Sequence, residues 1–432
     1  MVNRKEISPA RIAAFNILQQ VENGAFSSVL LAAEEPRLQT PDRALTHELV
    51  LGVLRWQLLL DKIVEHYSKR RIESLDPAVR IALRLGLYQL RYLTRIPASA
   101  AVNESVSLVR LARLSSATGF VNAVLRRTIR EPNYDPSSED PLERISIQTS
   151  HPRWLIERWT KSFGVEEAEA FARANNAMPP TAFRVVKVRA NEPEVLSKLN
   201  AAGATIEKSQ VTQGAWRVSG ATSLVRELSA AGEIYLQDEA SQLVPEMLDV
   251  KHGERALDVC AAPGGKTTLI ANRAGLVIAA DRSAARMATV VATTSLHGLK
   301  SIKPVLLDAG QTLPFESNSF DKVLLDAPCS GTGTLRRNPE IRWRLAESNI
   351  SVFAENQKRF LANAAEVVKP GGRLVYSTCS VEREENEEVV EEFLARDRRF
   401  KLVRTERTWP HRQGCDGFFI AVLSLATHHT RC

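Results

Sequence analysis

Paired cysteines and metal-binding spacings are what this chain has least of. Its 432 residues include five cysteines, at positions 260, 329, 379, 415 and 432, an odd number without paired spacing, which excludes a disulfide framework. No Cys-x-x-Cys or His-x-x-x-His pattern occurs, so no metal is expected, and the His428-His429 and Cys432 tail reads as a frayed terminus. No apolar run reaches the length of a membrane span. The basic start Met1-Val-Asn-Arg-Lys-Glu-Ile-Ser-Pro has no apolar stretch behind it. A cytoplasmic chain with reduced thiols and no membrane partner is expected. Internal repeats and low-complexity tracts are also missing.

Charge is present but unevenly spread. Residues 1–135 carry 19 Lys/Arg against 13 Asp/Glu, nearly the whole of the chain's net charge of +7. A basic segment joined to a near-neutral body fits a polyanion-binding arm on a catalytic domain, although ordinary solvated helix faces explain the excess equally well.

Hydrophobic periodicity divides the chain into three. From Pro9 to Arg130 it is helical: Ser8-Pro9 opens a helix with Ile12, Phe15, Leu18 and Val21 on one face and Gly24 as its stop. Asp42 is predicted to cap a second helix and Asp76 a third. Segments 103–114 and 120–130 complete an all-α bundle with Arg126, Arg127 and Arg130 at its exit. The Pro-, Ser- and acid-rich stretch from Glu131 to Asp140 reads as a linker. It divides an N-terminal domain, residues 1–135, from a small α+β domain over 136–235, which begins with one helix over 154–173. Beyond it, in residues 236–432, strand-like runs at 256–259, 277–281, 304–308, 322–326, 373–377 and 418–425 alternate with helical patterns, the signature of a doubly wound α/β sheet.

Three segments of this last domain carry candidate chemistry. The first βα turn, Cys260-Ala261-Ala262-Pro263-Gly264-Gly265-Lys266-Thr267, lies where open α/β sheets bind cofactors. It is not a phosphate loop, because the glycine required five residues before Gly265 is Cys260, and it does not fit G-x-G-x-x-G. Asp281 ends the second strand, where a carboxylate accepts hydrogen bonds from ribose hydroxyls, and Asp308 ends the third, placed to face an adenine amino group. The runs Asp326-Ala327-Pro328-Cys329-Ser330-Gly331 and Tyr376-Ser377-Thr378-Cys379-Ser380 follow adjacent strands and bring two thiols to one rim. Pattern alone leaves open which thiol attacks.

Two further features are less specific. Arg336, Arg337, Arg342 and Arg344 around Trp343 suggest a grip on phosphate and a stacked base, with Trp343 as a packing anchor the equal alternative. The acidic run from Glu382 to Glu392 reads as a solvated helix face.

The runs Cys-Ala-Ala-Pro-Gly-Gly-Lys-Thr, Asp-Ala-Pro-Cys-Ser-Gly-Thr-Gly and Tyr-Ser-Thr-Cys-Ser together resemble the Nol1/Nop2/Sun family of RNA 5-methylcytosine methyltransferases. Gly119-Phe-Val-Asn-Ala-Val-Leu-Arg126 is similar to the end of a NusB-type RNA-binding domain, and Ser150-His-Pro-Arg-Trp-Leu to the family's central segment. The resemblance implies a class I, Rossmann-like methyltransferase domain and S-adenosylmethionine as cofactor. It further implies that Cys260 to Lys266 hold the methionine part, that Asp281 holds the ribose, and that Asp308 and Asp326 complete the pocket. Cys379 would be the nucleophile, Cys329 the helper in product release, and Asp326 a contact to the cytosine ring. The substrate implied is 16S ribosomal RNA, with transfer RNA or another RNA as the alternative. A monomer is expected. A rival of another class is an RNA-binding assembly or antitermination factor in which the α/β domain only packs.

Overall fold

The computed structural model describes residues 7–427, so the His428, His429 and Cys432 tail lies outside the described residues. The chain divides into two compact units. One runs to Ala177 and takes in Leu335–Leu345; the other holds Met178–Thr334 and resumes at Ala346.

The first unit is helical throughout. Its early helices, among them Pro9–Glu22, Thr40–Arg55, Gln57–Ser68, Pro77–Tyr92, Ala98–Leu111 and Thr118–Arg130, enclose one apolar core. Pro77–Tyr92 is its most deeply buried member, with Ile81, Ala82, Leu83, Leu85 and Tyr88 all inside. Asp76 starts this helix as expected, its carboxylate accepting from the Ala78 N–H at 2.8 Å. Asp42 is not a cap: its helix begins at Thr40, and Asp42 sits in the first turn, where a negative charge still favours the helix dipole. The single helix expected over 154–173 is two, Arg153–Phe163 and Val165–Ala174, because Gly164 takes φ +86° between them.

Residues 335–345 complete this unit by polar anchoring. Arg342 is fully buried and donates to the carbonyls of Arg55 (3.3 Å), Ser150 (3.0 Å) and Asn175 (3.4 Å), and to Asn176 Oδ1 (2.9 Å). Trp343 Nε1 donates to Leu54 O at 2.6 Å, and Arg344 donates to the carbonyls of Val21 and Ala25. Glu340 Oε1 accepts from both the N–H and the hydroxyl of Ser27, each at 2.9 Å. The RNA grip expected of this segment is therefore corrected. Arg336 and Arg342 are buried, Arg342 and Arg344 spend donors on backbone carbonyls that helix ends and turns leave open, and Trp343 is the packing anchor.

The second unit begins with a small four-stranded antiparallel sheet of β1 (Thr181–Val185), β2 (Thr205–Lys208), β3 (Ala215–Ser219) and β4 (Ile234–Leu236), in the order β2-β3-β1-β4. Helices Glu192–Ala201 and Thr222–Ala230 supply the apolar residues Val195, Leu199, Val225 and Leu228 that cover it.

The larger sheet holds β5 (Arg255–Asp258), β6 (Leu276–Asp281), β7 (Ile302–Leu306), β8 (Phe320–Asp326), β9 (Val368–Thr378), β10 (Phe400–Thr408) and β11 (Phe418–Leu425). Their order is β10-β11-β9-β8-β5-β6-β7, parallel except where β11 pairs antiparallel with β9 and β10. Successive residues alternate between its two faces: Val323, Leu325, Leu374 and Tyr376 enter one apolar cluster, Leu324 and Val375 the other. Strand order reverses between β5 and β8, and a crevice opens at such a switch point beyond the carboxyl ends of the strands. Among the described residues no helix is long and apolar enough to cross a membrane.

Replacing Arg342 by Met keeps most of the volume but strands several buried carbonyls. A loss of about 3–5 kcal/mol is expected, read as a lower midpoint in chemical denaturation followed by far-ultraviolet circular dichroism. A midpoint equal to wild type would show that water replaces the guanidinium there.

Candidate active site

The crevice holds a cavity of about 170 Å³ lined by Tyr235, Gln237, Ser241, Asp258, Cys260, Lys266 and Asp326, with Ala261, Ala262, Pro263 and Gly265 along its floor. Gly264 stands at φ +104°, a backbone conformation that only glycine adopts without strain. A Cβ on Gly265 would come within 2.8 Å of the Tyr235 ring, so both glycines are fixed by close packing at the turn.

Two carboxylates here keep acceptors in reserve. Asp258 is buried; its Oδ2 accepts from Thr267 Oγ1 at 2.7 Å and its Oδ1 accepts nothing. Asp281, also buried, accepts from the Ser283 N–H through Oδ1 at 3.0 Å, while Oδ2 has no hydrogen bond and lies 3.5 Å from Arg286 Nη2. Buried acceptors without donors are costly, and a ligand bearing hydroxyl or ammonium groups would satisfy both. Asp308 differs from them: it is exposed, lies two residues past the end of β7, and accepts from the Gly310 N–H at 2.9 Å.

Lys266 and Asp326 form the charged centre. Lys266 Nζ donates to Asp326 Oδ2 at 2.6 Å, and Ser377 Oγ, directly across from Asp326 in the β8–β9 pairing, donates to Oδ1 at 2.7 Å. Burial works against the Lys266 ammonium, but Asp326, Cys379 and Asp258 outweigh it, and the pKa lies above that of a free lysine.

The thiols leave adjacent parallel strands. Cys329 follows β8, Cys379 follows β9, both are half-buried, and their sulfurs lie 3.4 Å apart. The hydrogen bond to Cys379, with burial, raises the Cys329 pKa well above that of a free thiol, so Cys329 stays protonated at neutral pH. Cys260 is raised as well, by burial and by Asp258, Asp326 and Asp281, and its place is in the turn beneath the cavity.

The acidic run over 382–392 is not the solvated face expected from its charges. Glu382, Glu385 and Asn386 are buried, and the turn Arg383–Glu385 packs its last carboxylate under the thiol loops. Tyr235, Gln237 and Ser241 escaped the sequence reading because nothing in their spacing separates them from a loop. Asp258 did carry a signal, an acid at the end of the first parallel strand. Among the described residues no group of three or more His, Cys, Asp or Glu side chains gathers in a way that could hold a metal.

Burial above all, with Asp326 and Asp281 adding to it and Thr267 opposing, lifts the Asp258 pKa from an ordinary 3.8 to about 7. A folded-state value above the unfolded one favours folding at low pH and loses that contribution as pH rises through 7. Asp258→Asn is therefore expected to match the stability of wild type near pH 4 and to exceed it by up to about 4 kcal/mol at pH 8, the difference opening between the unfolded value of 3.8 and the folded value of about 7. An equal difference at both pH values would mean that Asp258 is ionised throughout.

Comparisons with known proteins place the whole chain. Family models match in three consecutive regions: NusB family over residues 8–130, the RsmF/B-like ferredoxin-like domain over 151–224, and 16S rRNA methyltransferase RsmB/F over 245–424. The probable ribosomal RNA small subunit methyltransferase B of Bacillus subtilis is 35% identical over 96% of this chain and 98% of its own length. The ribosomal RNA small subunit methyltransferase B of Pseudomonas putida is 36% identical over 89% of each. The crystal structure of PH0851 superposes with a TM-score of 0.84 at 30% identity over 96% of this chain and 99% of that one. A methyltransferase homolog protein from Pyrococcus horikoshii superposes at 0.59 and 28%, over 67% and 99%. The resemblance read from the three motifs is borne out, and with it the all-α, small α+β and Rossmann-like methyltransferase folds, the middle one matching a ferredoxin-like model: the chain belongs to the 16S rRNA methyltransferase RsmB/F family.

Proposed function

We propose that this chain is a cytoplasmic, monomeric enzyme that methylates C5 of a cytosine in 16S ribosomal RNA, using S-adenosylmethionine and a covalent bond between Cys379 and C6. The observation that carries the reading is the pair of half-exposed thiols 3.4 Å apart at the ends of two adjacent parallel strands. The relatives, ribosomal RNA small subunit methyltransferases by name, support the substrate.

Bound S-adenosylmethionine supplies an activated methyl group. The unsatisfied oxygens of Asp258 and Asp281 suit its ammonium and ribose hydroxyls, the turn from Cys260 to Lys266 its methionine part, and Asp308 its adenine. Cytosine C5 is too weak a nucleophile to react unaided, which explains the need for a thiol. The Cys379 thiolate adds to C6 and breaks the C5–C6 double bond, and the electrons make C5 enamine-like. Asp326 contacts the cytosine ring and favours its protonated form. Once C5 carries the methyl group, a base takes the C5 proton, the electrons of that C–H bond restore the C5–C6 double bond, and the Cys379 thiolate leaves, with Cys329 assisting that release. The target base leaves its stack to reach the thiols, so an RNA loop or a flipped base is the fitting substrate. The basic excess of the N-terminal segment and its match to the NusB family support RNA binding there.

Wild type, Cys379→Ala and Cys329→Ala incubated with small-subunit rRNA and S-adenosylmethionine separate the roles. Cys379→Ala is expected to yield neither 5-methylcytosine nor adduct, and Cys329→Ala to accumulate protein–RNA adduct on a denaturing gel. The reverse pattern would exchange the thiols, and no methylation of any RNA by wild type would overturn the reading. Asp326→Ala is expected to lose most of its methylation rate, and unchanged activity would remove its role.

A further inference from the structure

Glu385 is a fully buried carboxylate that the chemistry above does not use. Its Oε1 accepts from the Ser330 N–H at 2.8 Å and from Gln357 Nε2 at 3.0 Å; its Oε2 accepts from the hydroxyls of Ser330 and Ser380, the latter at 2.5 Å. Four donors therefore converge on its two oxygens. Ser330 follows Cys329 and Ser380 follows Cys379, so one side chain holds the residue after each thiol. Gln357 extends the grip by donating also to Pro328 O, just before Cys329, at 3.0 Å.

The turn that carries Glu385 is itself tied to the thiol strand. Tyr376 donates its hydroxyl to Glu385 O at 2.6 Å, Asn386 Nδ2 donates to Ser380 O at 3.0 Å, and Thr378 Oγ1 donates to Asn386 Oδ1 at 2.5 Å. A second bridge lies beside it, where Gly333 N donates to Cys379 O at 2.9 Å. A buried carboxyl group is expensive to keep unless its hydrogen bonds are satisfied. Its placement between the two thiol loops gives it a use.

We infer that Glu385 is a positioning residue: its four accepted hydrogen bonds hold the Cys329 and Cys379 loops in register, so that the two sulfurs face the same base. This rests on the methyltransferase reading for its effect on turnover, but the spacing of the thiols can be read without RNA or cofactor. Phenylarsine oxide condenses with two thiols only when they lie close together, and reports that spacing directly.

The test compares wild type, Glu385→Gln and Glu385→Asp, with Cys329→Ser as the dithiol-negative control. Glutamine keeps the reach but puts a donor where one acceptor oxygen was; aspartate keeps both acceptor oxygens but falls short of one loop. Both are expected to capture the arsenical at least about tenfold more slowly and to lose about a hundredfold in kcat, as an ångström of misplacement at reacting atoms does. KM for S-adenosylmethionine should stay as in wild type, because Glu385 does not line the cavity. A variant that merely unfolds would instead lose its melting transition and its cofactor binding. Should both prove unfolded, Ser330→Ala and Ser380→Ala, which each remove one hydroxyl donor to Glu385, are expected to slow capture and kcat while retaining a cooperative melting transition. Folded variants with wild-type capture and kcat would overturn the inference. Slow capture by the variants beside a wild type that methylates no RNA would keep the clamp and overturn only the methyltransferase reading.

Discussion

Because β8 and β9 run parallel with Leu324 beside Val375 and Asp326 beside Ser377, the two loops that carry the thiols leave the sheet at one level. A one-residue slip of either strand would turn Asp326 or Ser377 to the opposite face and separate the sulfurs. The register is held by the apolar residues on both faces, Val323 and Leu374 on one, Leu324 and Val375 on the other. Lys266 then reaches Asp326 from the turn after β5, so that three neighbouring strands feed one cluster of charges.

The same cluster sorts the thiols. Cys260 sits among Asp258, Asp281 and Asp326, where burial and three carboxylates oppose ionisation. Cys329 is held protonated by its bond to Cys379 and by burial. Lys266 brings the compensating positive charge to this cluster through its bond to Asp326.

The parallel strands β5, β6 and β8 were legible because they are largely apolar and end in acids, and the terminal-strand run 418–425 matches β11 residue for residue. What stayed hidden was polar. β10, Phe400–Thr408, is an edge strand with Lys401, Arg404 and Arg407 along it, and shows no apolar alternation. β2 and β4 are too short to carry a period. Charged residues misled for a different reason: their burial depends on partners remote in sequence. Nothing local distinguishes Glu385, which meets Ser330, from the exposed glutamates near it, nor reveals that Arg342 is consumed by carbonyls of Arg55 and Ser150. The candidate turn, the two thiols and Asp281 were readable because each sits at a strand end; Asp258, Ser377 and Glu385 act through neighbours that only the fold supplies.

The excursion of residues 335–345 into the helical unit also bears on how the protein is made. Ser27 finds its carboxylate partner in Glu340, 313 residues later, and Ser150 finds Arg342 192 residues later. Domains generally fold as units, N-terminal first, while a chain is being synthesised. Here the helical unit cannot satisfy its own backbone until the strands β5 to β8 and the first thiol loop have already left the ribosome. The part translated first is finished late, and its completion is contingent on the catalytic half having been made.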